Sequence, residues 1–241
     1  MRGKILVLAI LAIVLPLAGI ACNGGGGGEG RLSVEDLSGT WFGVMVDLTF
    51  EAHTYQFTMD SSGNMSDFYM DEVPFPAFTG TTVQESGRIF NFLMSDGTEG
   101  GFITDENGTH LAFLTENFLR GVMEKGATEL PVFSTLDYQG TWNGYSIWLD
   151  TDLAIANEGP TTLNIDSAYD VTGTGLGGAY AGSIKAFLDP DYGVAWGTDE
   201  SSITYFELAL SVDRTFMATI VCFVSLDIEI TDCEFGAYTE Q

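Results

Sequence analysis

"LSGTWFGVMVDLTF", residues 37–50, is the most informative segment for the fold, because it returns later in the chain as "YQGTWNGYSIWLD", residues 138–150. Gly39-Thr40-Trp41 and Gly43 come back as Gly140-Thr141-Trp142 and Gly144. Apolar residues also alternate in the same register in both copies: Val44, Val46 and Leu48 in the first, and Tyr145, Ile147 and Leu149 in the second. A period of two is typical of one face of a β-strand. The repeat therefore predicts two copies of one β module.

Two further correspondences support a duplication. "GFITDENGTHLAFL" (101–114) resembles "AWGTDESSITYFEL" (195–208), and each segment places a Thr-Asp pair between two apolar runs. These pairs are Thr104-Asp105 and Thr198-Asp199, and a basic residue follows each Asp at the same distance, Arg120 in one copy and Arg214 in the other. The three matches in order predict one domain over 35–127 and a second over 128–241, with the boundary in "EKGATELPVF" (124–133).

Turn signals separate short apolar runs throughout both copies. Groups such as Asp60–Asn64, Ser95–Gly97 and Glu106–Gly108 recur about every eight to twelve residues, and runs such as Arg88–Met94 between them are rich in aromatic and β-branched residues. Helical periodicity is almost absent. We predict an all-β fold of about seven or eight strands per copy, in antiparallel meanders that close into barrels or pack as sandwiches.

A Gly-x-Trp at the start of the first strand, a Thr-Asp turn two-thirds along the copy and a late Arg together resemble the three signature regions of lipocalins. The resemblance implies an eight-stranded barrel in each copy, in which the Trp closes one end and the Arg covers its ring through a cation–π contact. Carried over, Trp41 would pair with Arg120, and Trp142 with Arg214. Gly39, Gly140 and the two Thr-Asp pairs would complete these signatures, which are structural and not catalytic.

The resemblance departs from the family at several positions. Glu106 and Glu200 stand where lipocalins usually carry a Tyr after Thr-Asp, and both copies are shorter than typical lipocalins. Strict alternation would also place Trp41 and Val44 on opposite faces of the strand, unless Gly43 lies in a bulge. Avidin-like and other small meander barrels fit the same pattern.

Residues 1–21 have the pattern of an export signal. Arg2 and Lys4 are followed by an apolar run, Ile5–Leu17, and the small residues Gly19-Ile20-Ala21 come directly before Cys22. This resembles a bacterial lipobox, which implies a lipidated Cys22, although Gly19 stands where such motifs usually carry Leu. The glycine run after Cys22 is a flexible coil, so residues 22–34 are predicted to be an anchor and tether. Cleavage to a soluble periplasmic protein is the alternative.

The remaining cysteines, Cys222 and Cys233, form a candidate disulfide. Both lie in the last strand-rich stretch, where a hairpin would bring them together, and disulfides persist in an exported protein. The alternative is a pair of buried thiols. Neither cysteine has a nearby His that would suggest a catalytic or metal-bound thiolate.

The composition limits the partners. The chain has 34 acidic and 8 basic residues and a formal net charge of −26, which repels nucleic acid and anionic lipid surfaces. The scattered acidic residues are typical of a solvated surface, with divalent-cation contact as the alternative. We therefore expect membrane attachment through the anchor alone, and a bacterial envelope protein, an outer-membrane lipoprotein facing the periplasm or the cell surface.

No motif points to catalysis. The chain lacks a Gly-x-Ser-x-Gly elbow, a phosphate loop and a zinc signature. His53, in a turn-like stretch, and His110, on a predicted strand, have no partner at metal-binding spacing. Asp60–Asn64 and Asp189–Gly193 resemble parts of a calcium loop but lack its closing Glu, so both are interpreted as hairpin turns. We expect a non-enzymatic protein without metal or cofactor.

Two functional hypotheses follow from this interpretation. In the first, the barrels enclose apolar pockets and carry a small hydrophobic ligand. In the second, the barrels are filled by their own side chains, and the protein has a structural or partner-binding role in the envelope. An open strand edge, or an exposed aromatic patch around Phe68, Tyr69, Phe75 and Phe78, would favour the second hypothesis. Unfilled interior volume would favour the first.

Overall fold

The computed structural model describes residues 32–47, 49–75, 78–117, 119–149, 155–189, 191–198, 204–224 and 230–241. Within these residues, seventeen strands and two short 3-10 helices form two antiparallel barrels in tandem. The predicted all-β fold of two meander barrels is therefore confirmed. The predicted signal, Cys22 and the tether up to residue 31 lie outside the described residues.

The first barrel is a closed meander of eight strands. Its strands follow one another around the barrel, and pairing between β2 and β3 closes it, while the short β4 adds to the outer part of β3. The strands are β1 (Gly39–Val46), β2 (Ala52–Met59), β3 (Asn64–Met70), β4 (Val73–Phe75), β5 (Gly80–Ser86), β6 (Ile89–Met94), β7 (Glu99–Thr104), β8 (His110–Thr115) and β9 (Arg120–Lys125).

The second barrel repeats this arrangement with eight strands, and β10 pairs with β17 to close it. The strands are β10 (Gly140–Leu149), β11 (Ile155–Ile165), β12 (Asp170–Gly175), β13 (Gly178–Asp189), β14 (Val194–Thr198), β15 (Thr204–Leu210), β16 (Phe216–Val224) and β17 (Ile230–Glu240). A 3-10 helix precedes the first strand of each barrel, Glu35–Leu37 in one case and Thr135–Tyr138 in the other. The predicted boundary at 127/128 falls between β9 and the second of these helices.

The glycines of the repeated motif are explained by the backbone. Gly39 and Gly140 begin the first strands with φ of +143° and +147°, values that favour glycine. Gly43 and Gly144 instead lie where the first strand approaches the last one closely. A Cβ at Gly43 would be 2.0 Å from the Val122 carbonyl oxygen, and a Cβ at Gly144 would be 2.4 Å from a carbonyl oxygen of β17. The repeated Gly-x-x-x-Gly spacing thus belongs to the start of the first strand and to its close pairing with the last strand of each barrel.

The repeated tryptophans occupy equivalent places. The indole Nε1 of Trp41 donates to the Leu37 carbonyl at 2.9 Å, and that of Trp142 donates to the Tyr138 carbonyl at 3.1 Å. Each acceptor is the last residue of the 3-10 helix before the strand. Both tryptophans are completely buried. Each therefore joins its barrel to the short helix that precedes it.

The first strand alternates without a bulge. Pairing between β1 and β2 is continuous from Gly39 to Val46, so Trp41 and Met45 face the barrel interior while Val44 and Val46 face outward. The outward residues are also buried, because they pack against the second barrel. The apolar alternation of the sequence therefore marks the face between the barrels, whereas Trp41 marks the interior.

The barrels share a core formed by their outer walls. β8 lies against β16, and the contacts of β7 with β17 and of β9 with β15 flank this central pair symmetrically. Apolar side chains from both barrels form one buried cluster: Val44, Val46, Ile89, Ile103, Ala112, Leu114 and Val122 from the first, and Ile147, Leu149, Val194, Ala209, Phe216, Ala218, Ile220, Cys222, Cys233, Phe235 and Ala237 from the second. Burial of this apolar surface favours association of the two barrels.

Two of the predicted repeat correspondences are shifted by one strand. When the extra strand β4 is left out of the count, Thr104 ends the sixth strand of the first barrel (β7), whereas Thr198 ends the fifth strand of the second (β14). Likewise, Arg120 begins the eighth strand of the first barrel (β9), whereas Arg214 lies in the turn between the sixth and seventh strands of the second (β15 and β16). The structural counterpart of the turn at Asp105 is the β15–β16 turn around Asp213. Similar apolar runs on neighbouring strands produced the mismatch.

Candidate functional site

The predicted contact between Arg120 and Trp41 is wrong. In the β1–β9 register, Arg120 lies opposite Val46, and Trp41 lies opposite Lys125 at the other end of the strand pair. The Lys125 Nζ lies 6.0 Å from the Trp41 ring centroid and donates to a carbonyl of the first 3-10 helix at 2.8 Å. Lys125 therefore covers the tryptophan as the resemblance had implied for Arg120.

The predicted contact between Arg214 and Trp142 is replaced by polar contacts. The Arg214 Nε is 3.2 Å from a carboxylate oxygen of Asp137, which belongs to the 3-10 helix before Trp142, and its guanidinium also donates to the Val132 carbonyl at 3.0 Å. Arg214 itself has a positive φ of 65° in its turn. Arg214 thus connects the β15–β16 turn to Val132 and to the second 3-10 helix, instead of covering the Trp142 ring.

Of the two predicted Thr-Asp pairs, the first is fully described. Thr104 is buried at the end of β7, and the carboxylate of Asp105 accepts from the backbone N–H groups of Thr109 and His110 at 2.7 and 2.9 Å. Burial would raise the pKa of Asp105, but these hydrogen bonds and the side chain of His110 outweigh it and hold the pKa at about 2. In the second pair, Thr198 ends β14, and Asp199 lies outside the described residues.

The predicted disulfide is confirmed. Cys222 on β16 lies directly opposite Cys233 on β17, with their Cα atoms 4.2 Å apart, and the two residues are joined by a disulfide bond. Both sulfur-bearing side chains belong to the core between the barrels. The bond therefore fixes a strand pair that the first barrel packs against.

The interior of the first barrel is filled by its own side chains. Aromatic rings and methionines pack from end to end, and rings such as Phe92 and Phe113 stack with centroids 4.7 Å apart. The buried interior residues are Leu37, Trp41, Met45, Phe57, Met59, Met65, Phe68, Phe90, Phe92, Met94, Phe102, Leu111, Phe113 and Met123. Interiors packed with side chains in this way hold few voids larger than a water molecule.

The interior of the second barrel has an apolar half and a polar half. The apolar half surrounds Trp142 and comprises Phe133, Tyr138, Leu163, Ile165, Val171, Ala195, Phe206, Leu208, Leu210, Met217, Val221 and Tyr238. In the polar half, the Ser146 hydroxyl contacts those of Thr161 at 2.9 Å and Tyr238 at 3.3 Å. Glu234, 3% exposed, accepts from the backbone N–H of Leu176 at 2.9 Å. Burial raises the pKa of Glu234.

Two spaces beside the described residues differ from an enclosed ligand pocket. One cavity of about 10 Å³ lies where Arg120 and Glu207 meet the second barrel, and it is large enough for about one water molecule. The other space, about 250 Å³, is an open depression on the outer face of β10–β12 and is lined largely by threonines. Neither space matches an enclosed apolar pocket of the kind expected for a hydrophobic ligand.

A buried ion pair crosses the junction between the barrels. The Arg120 guanidinium lies 2.5 Å from the Glu207 carboxylate, and the side chains are 8% and 3% exposed. The Tyr205 hydroxyl also donates to this carboxylate at 3.0 Å, while Arg120 donates to the Asp47 carbonyl at 3.2 Å. The Arg120 guanidinium lies 5.4 Å from the centroid of the Phe50 ring. Sequence analysis identified Arg120 but missed Glu207, because their separation along the chain gives no signal.

The two histidines have different surroundings. His53 lies within β2, not in a turn, and its Nδ1 is 2.7 Å from the Asp71 carboxylate near the surface. His110 begins β8, as predicted, and is buried at the junction, where its ring stacks on Phe216 with centroids 5.2 Å apart. Acidic side chains from both barrels surround His110. Sequence spacing did not reveal this cluster.

The predicted aromatic patch is divided between core and surface. Phe68 is buried, and its ring packs on Phe57 and Phe78 with centroids 5.5 and 5.2 Å away. Phe75 and Val73, on the extra strand β4, are 41% and 58% exposed. Among the described strands, β4 pairs with β3 alone, so its other edge is open. The exposed part of the patch is therefore a short strand edge.

Comparison with known proteins finds similarity only at the level of structure. The chain matches no protein-family model and no curated protein. Among the described residues, no helix has the length and hydropathy needed to cross a membrane. The chain is structurally similar to a protein of unknown function from the DUF3598 family of Nostoc punctiforme, with a TM-score of 0.37, 13% identity and coverage of 87% of this chain and 100% of that one.

Two other solved structures are similar to the chain. One is a candidate outer membrane protein from Bacteroides fragilis, with a TM-score of 0.27, 10% identity and coverage of 86% of this chain and 99% of that one. The other is a mutant of the vaccine antigen transferrin binding protein B from Haemophilus parasuis, with a TM-score of 0.25, 8% identity and coverage of 78% and 65%. At these low values, the similarities assign neither function nor location to this chain.

Proposed function

We propose that the protein is a non-enzymatic, lipid-anchored protein of the bacterial envelope whose two barrels form a structural or partner-binding body. The observation that carries the proposal is the filling of the barrels. Interior side chains occupy the first barrel throughout, and those of the second meet in an apolar cluster and a hydrogen-bonded polar half. A protein of this kind acts through its outer surface.

One part of that surface that suits a partner is β4. It exposes the apolar side chains of Val73 and Phe75, and aromatic side chains are enriched where proteins contact one another. Because Pro74 between them carries no N–H, we expect the contact to be made by these side chains and not by addition of a strand. The lipobox-like sequence before Cys22 and the glycine run after it support the envelope location, because this pattern is typical of an exported chain. We expect the partner to be another envelope protein.

The first experiment tests the filled barrels. The chain with Cys22→Ser is purified from the envelope and analysed by native mass spectrometry, followed by denaturing extraction. We expect the mass of the polypeptide alone. A small apolar molecule bound at stoichiometric occupancy, and lost on Trp142→Phe substitution with the fold retained, would overturn the proposal in favour of a ligand carrier.

The second experiment tests the surface. A photo-crosslinking amino acid is placed at Phe75 in the anchored chain, and a control chain carries it at Val132, which is 87% exposed. We expect a discrete crosslinked envelope protein from position 75 and not from position 132, although the control position is more accessible. Equal crosslinking at both positions, or none at position 75, would contradict a partner at β4. The anchor is tested separately by membrane fractionation, in which the Cys22→Ser chain is expected to lose its membrane association.

A further inference from the structure

Three side chains from both barrels converge on one point of the junction. His110 begins β8, and Glu124 lies directly opposite it on β9. Asp213 comes from the other barrel, in the turn between β15 and β16. The turn that carries Asp213 is the counterpart of the turn that carries Asp105 in the first barrel. The cluster therefore forms only when the two barrels are packed together.

The distances between the donor atoms suit a small cation. The His110 Nε2 lies 3.2 Å from Oδ2 of Asp213 and 3.9 Å from Oε2 of Glu124, and one donor atom from each residue falls within 4.8 Å of the others. Zinc lies about 2.0–2.1 Å from nitrogen and oxygen ligands, so two ligands of a tetrahedral site are roughly 3.4 Å apart. The distance from His110 to Asp213, 3.2 Å, is slightly shorter than that value, and the distance from His110 to Glu124, 3.9 Å, is slightly longer.

The His110 ring is held with Nε2 aimed into the cluster. Its other nitrogen, Nδ1, is 3.4 Å from Oδ2 of Asp105, and that carboxylate also accepts from the Thr109 hydroxyl at 2.7 Å. His110 is only 8% exposed, and its buried Nε2 makes no hydrogen bond within the described part of the chain. A carboxylate behind the ring that orients its far nitrogen is the usual outer shell of a metal-binding histidine.

The two carboxylates are also fixed in place. Glu124 Oε2 accepts from the backbone N–H of Asp213 at 2.8 Å, which joins the two acidic residues across the junction. Asp213 accepts from the Ser211 hydroxyl at 2.7 Å and from the backbone N–H of Thr215 at 2.9 Å. Preoriented ligands lose little freedom on binding an ion. Asp213 is 38% exposed at its side chain, which leaves an entry path from solvent.

We propose that His110, Glu124 and Asp213 bind a divalent transition-metal ion, for which Zn²⁺ is the best fit, and that the ion ties the two barrels together. One imidazole and two carboxylates form a mixed nitrogen and oxygen site, which suits zinc better than the oxygen-only ligand sets of calcium and magnesium. Water would complete the coordination on the exposed side. Because the ligands come from both barrels, bound metal stabilises their packing and has no effect on either interior.

The test measures metal binding to the full Cys22→Ser chain, purified without a histidine tag and stripped with a chelator. Isothermal titration with Zn²⁺ is expected to show one saturable site, and Co²⁺ is expected to give visible absorption bands that Zn²⁺ abolishes. Asp213→Asn retains the hydrogen bonds to Oδ1 and is expected to weaken binding by about 100-fold or more, whereas Asp105→Asn, behind the ring, is expected to weaken it about 10- to 100-fold.

A matched control separates this cluster from a second group, Asp47, Glu51 and His53, whose donor atoms also lie close together. His53→Ala is expected to bind Zn²⁺ like the parent chain and to gain the same thermal stabilisation, which Asp213→Asn lacks. Binding that is lost in His53→Ala but retained in Asp213→Asn would overturn the proposal. So would the absence of saturable binding by the folded parent chain, because the cluster would then be a histidine–carboxylate ion pair.

Discussion

Replacement of Arg120 by Met is the sharpest test of the packing between the barrels. The substitution removes the guanidinium that lies 2.5 Å from the Glu207 carboxylate and keeps a side chain of similar length. It leaves Glu207, 3% exposed, with the Tyr205 hydroxyl at 3.0 Å as its remaining hydrogen-bond donor from this cluster. The carboxylate cannot move to solvent unless the barrels separate.

The magnitude follows from the burial of the pair. Removal of one partner of a buried ion pair costs about 3–5 kcal/mol, because the other charge remains without compensation. For a chain of this size, that loss corresponds to a decrease in Tm of about 6–20 °C. Replacement of both charges by Arg120→Met and Glu207→Leu is expected to recover most of the loss, since apolar residues such as Ala209 and Ile220 surround the cavity beside the pair.

Arg88 provides the matched control. It pairs with Glu106 in the same barrel, but the two side chains are 37% and 77% exposed, so Arg88→Met is expected to cost at most about 1 kcal/mol. Urea unfolding followed by tryptophan fluorescence gives the free energy of unfolding for the parent chain, both single Arg variants and the double variant. The difference between the two Arg variants isolates the effect of burial.

Two results would contradict this prediction. An Arg120→Met chain within about 1 kcal/mol of the parent would mean that the Glu207 carboxylate reaches water, so that the barrels do not pack as described. A double variant as unstable as Arg120→Met alone would mean that the loss comes from the arginine stem and its packing, not from an unpaired charge.

Three further variants test the close approach of β1 and β9, the disulfide and the buried carboxyl group of Glu234. Gly43→Ala places a Cβ 2.0 Å from the Val122 carbonyl oxygen and is expected to lower the Tm strongly, as measured by calorimetry; an unchanged Tm would contradict the close approach of β1 and β9. Reduction of the Cys222–Cys233 disulfide, or the double Ser variant, is expected to cost about 2–3 kcal/mol from loop entropy, and equal urea midpoints with and without reductant would contradict this. The raised pKa of Glu234 means that the folded state binds its proton more tightly than the unfolded state, so stability falls as pH rises from the ordinary glutamate range. Glu234→Gln is therefore expected to stabilise the chain at pH 7 and to lose that advantage at acidic pH; a variant less stable than the parent at pH 7 would show that the ionised form is favoured inside the barrel.

Residues with local roles could be identified from the sequence. Trp41 and Trp142 were predicted to be equivalent because the same spacing of glycines surrounds both, and the structure gives them the same bond to a preceding helix. The disulfide followed from two cysteines on neighbouring strands of a hairpin. The period-two alternation of the first strand was also correct. The sequence left open whether Gly43 lies in a bulge, and the continuous pairing of β1 with β2 shows that Trp41 and Val44 face opposite sides of the strand. These features depend on residues that are close in the sequence or on the fixed period of a strand.

The charged contacts were not predictable in the same way. The resemblance to lipocalins predicted a contact between Arg120 and Trp41. The strand register instead places Arg120 at the end of β9 away from Trp41 and brings Lys125 to the Trp41 ring. His110 and Asp213 show no pattern along the chain because they meet across two barrels. A partner on another element is fixed by register and by docking, neither of which has a local signal.

From the amino-acid sequence alone it follows that this chain forms two β modules, each begun by a Gly-Thr-Trp strand and built from short strands between turns. What each face of those strands contacts depends on how the two barrels pack against each other. Val44 and Ile147 alternate in the sequence as if they faced a barrel interior, yet they face the other barrel. The physical reason is that alternation reports burial of a face, and burial against a second barrel is as favourable as burial inside the first.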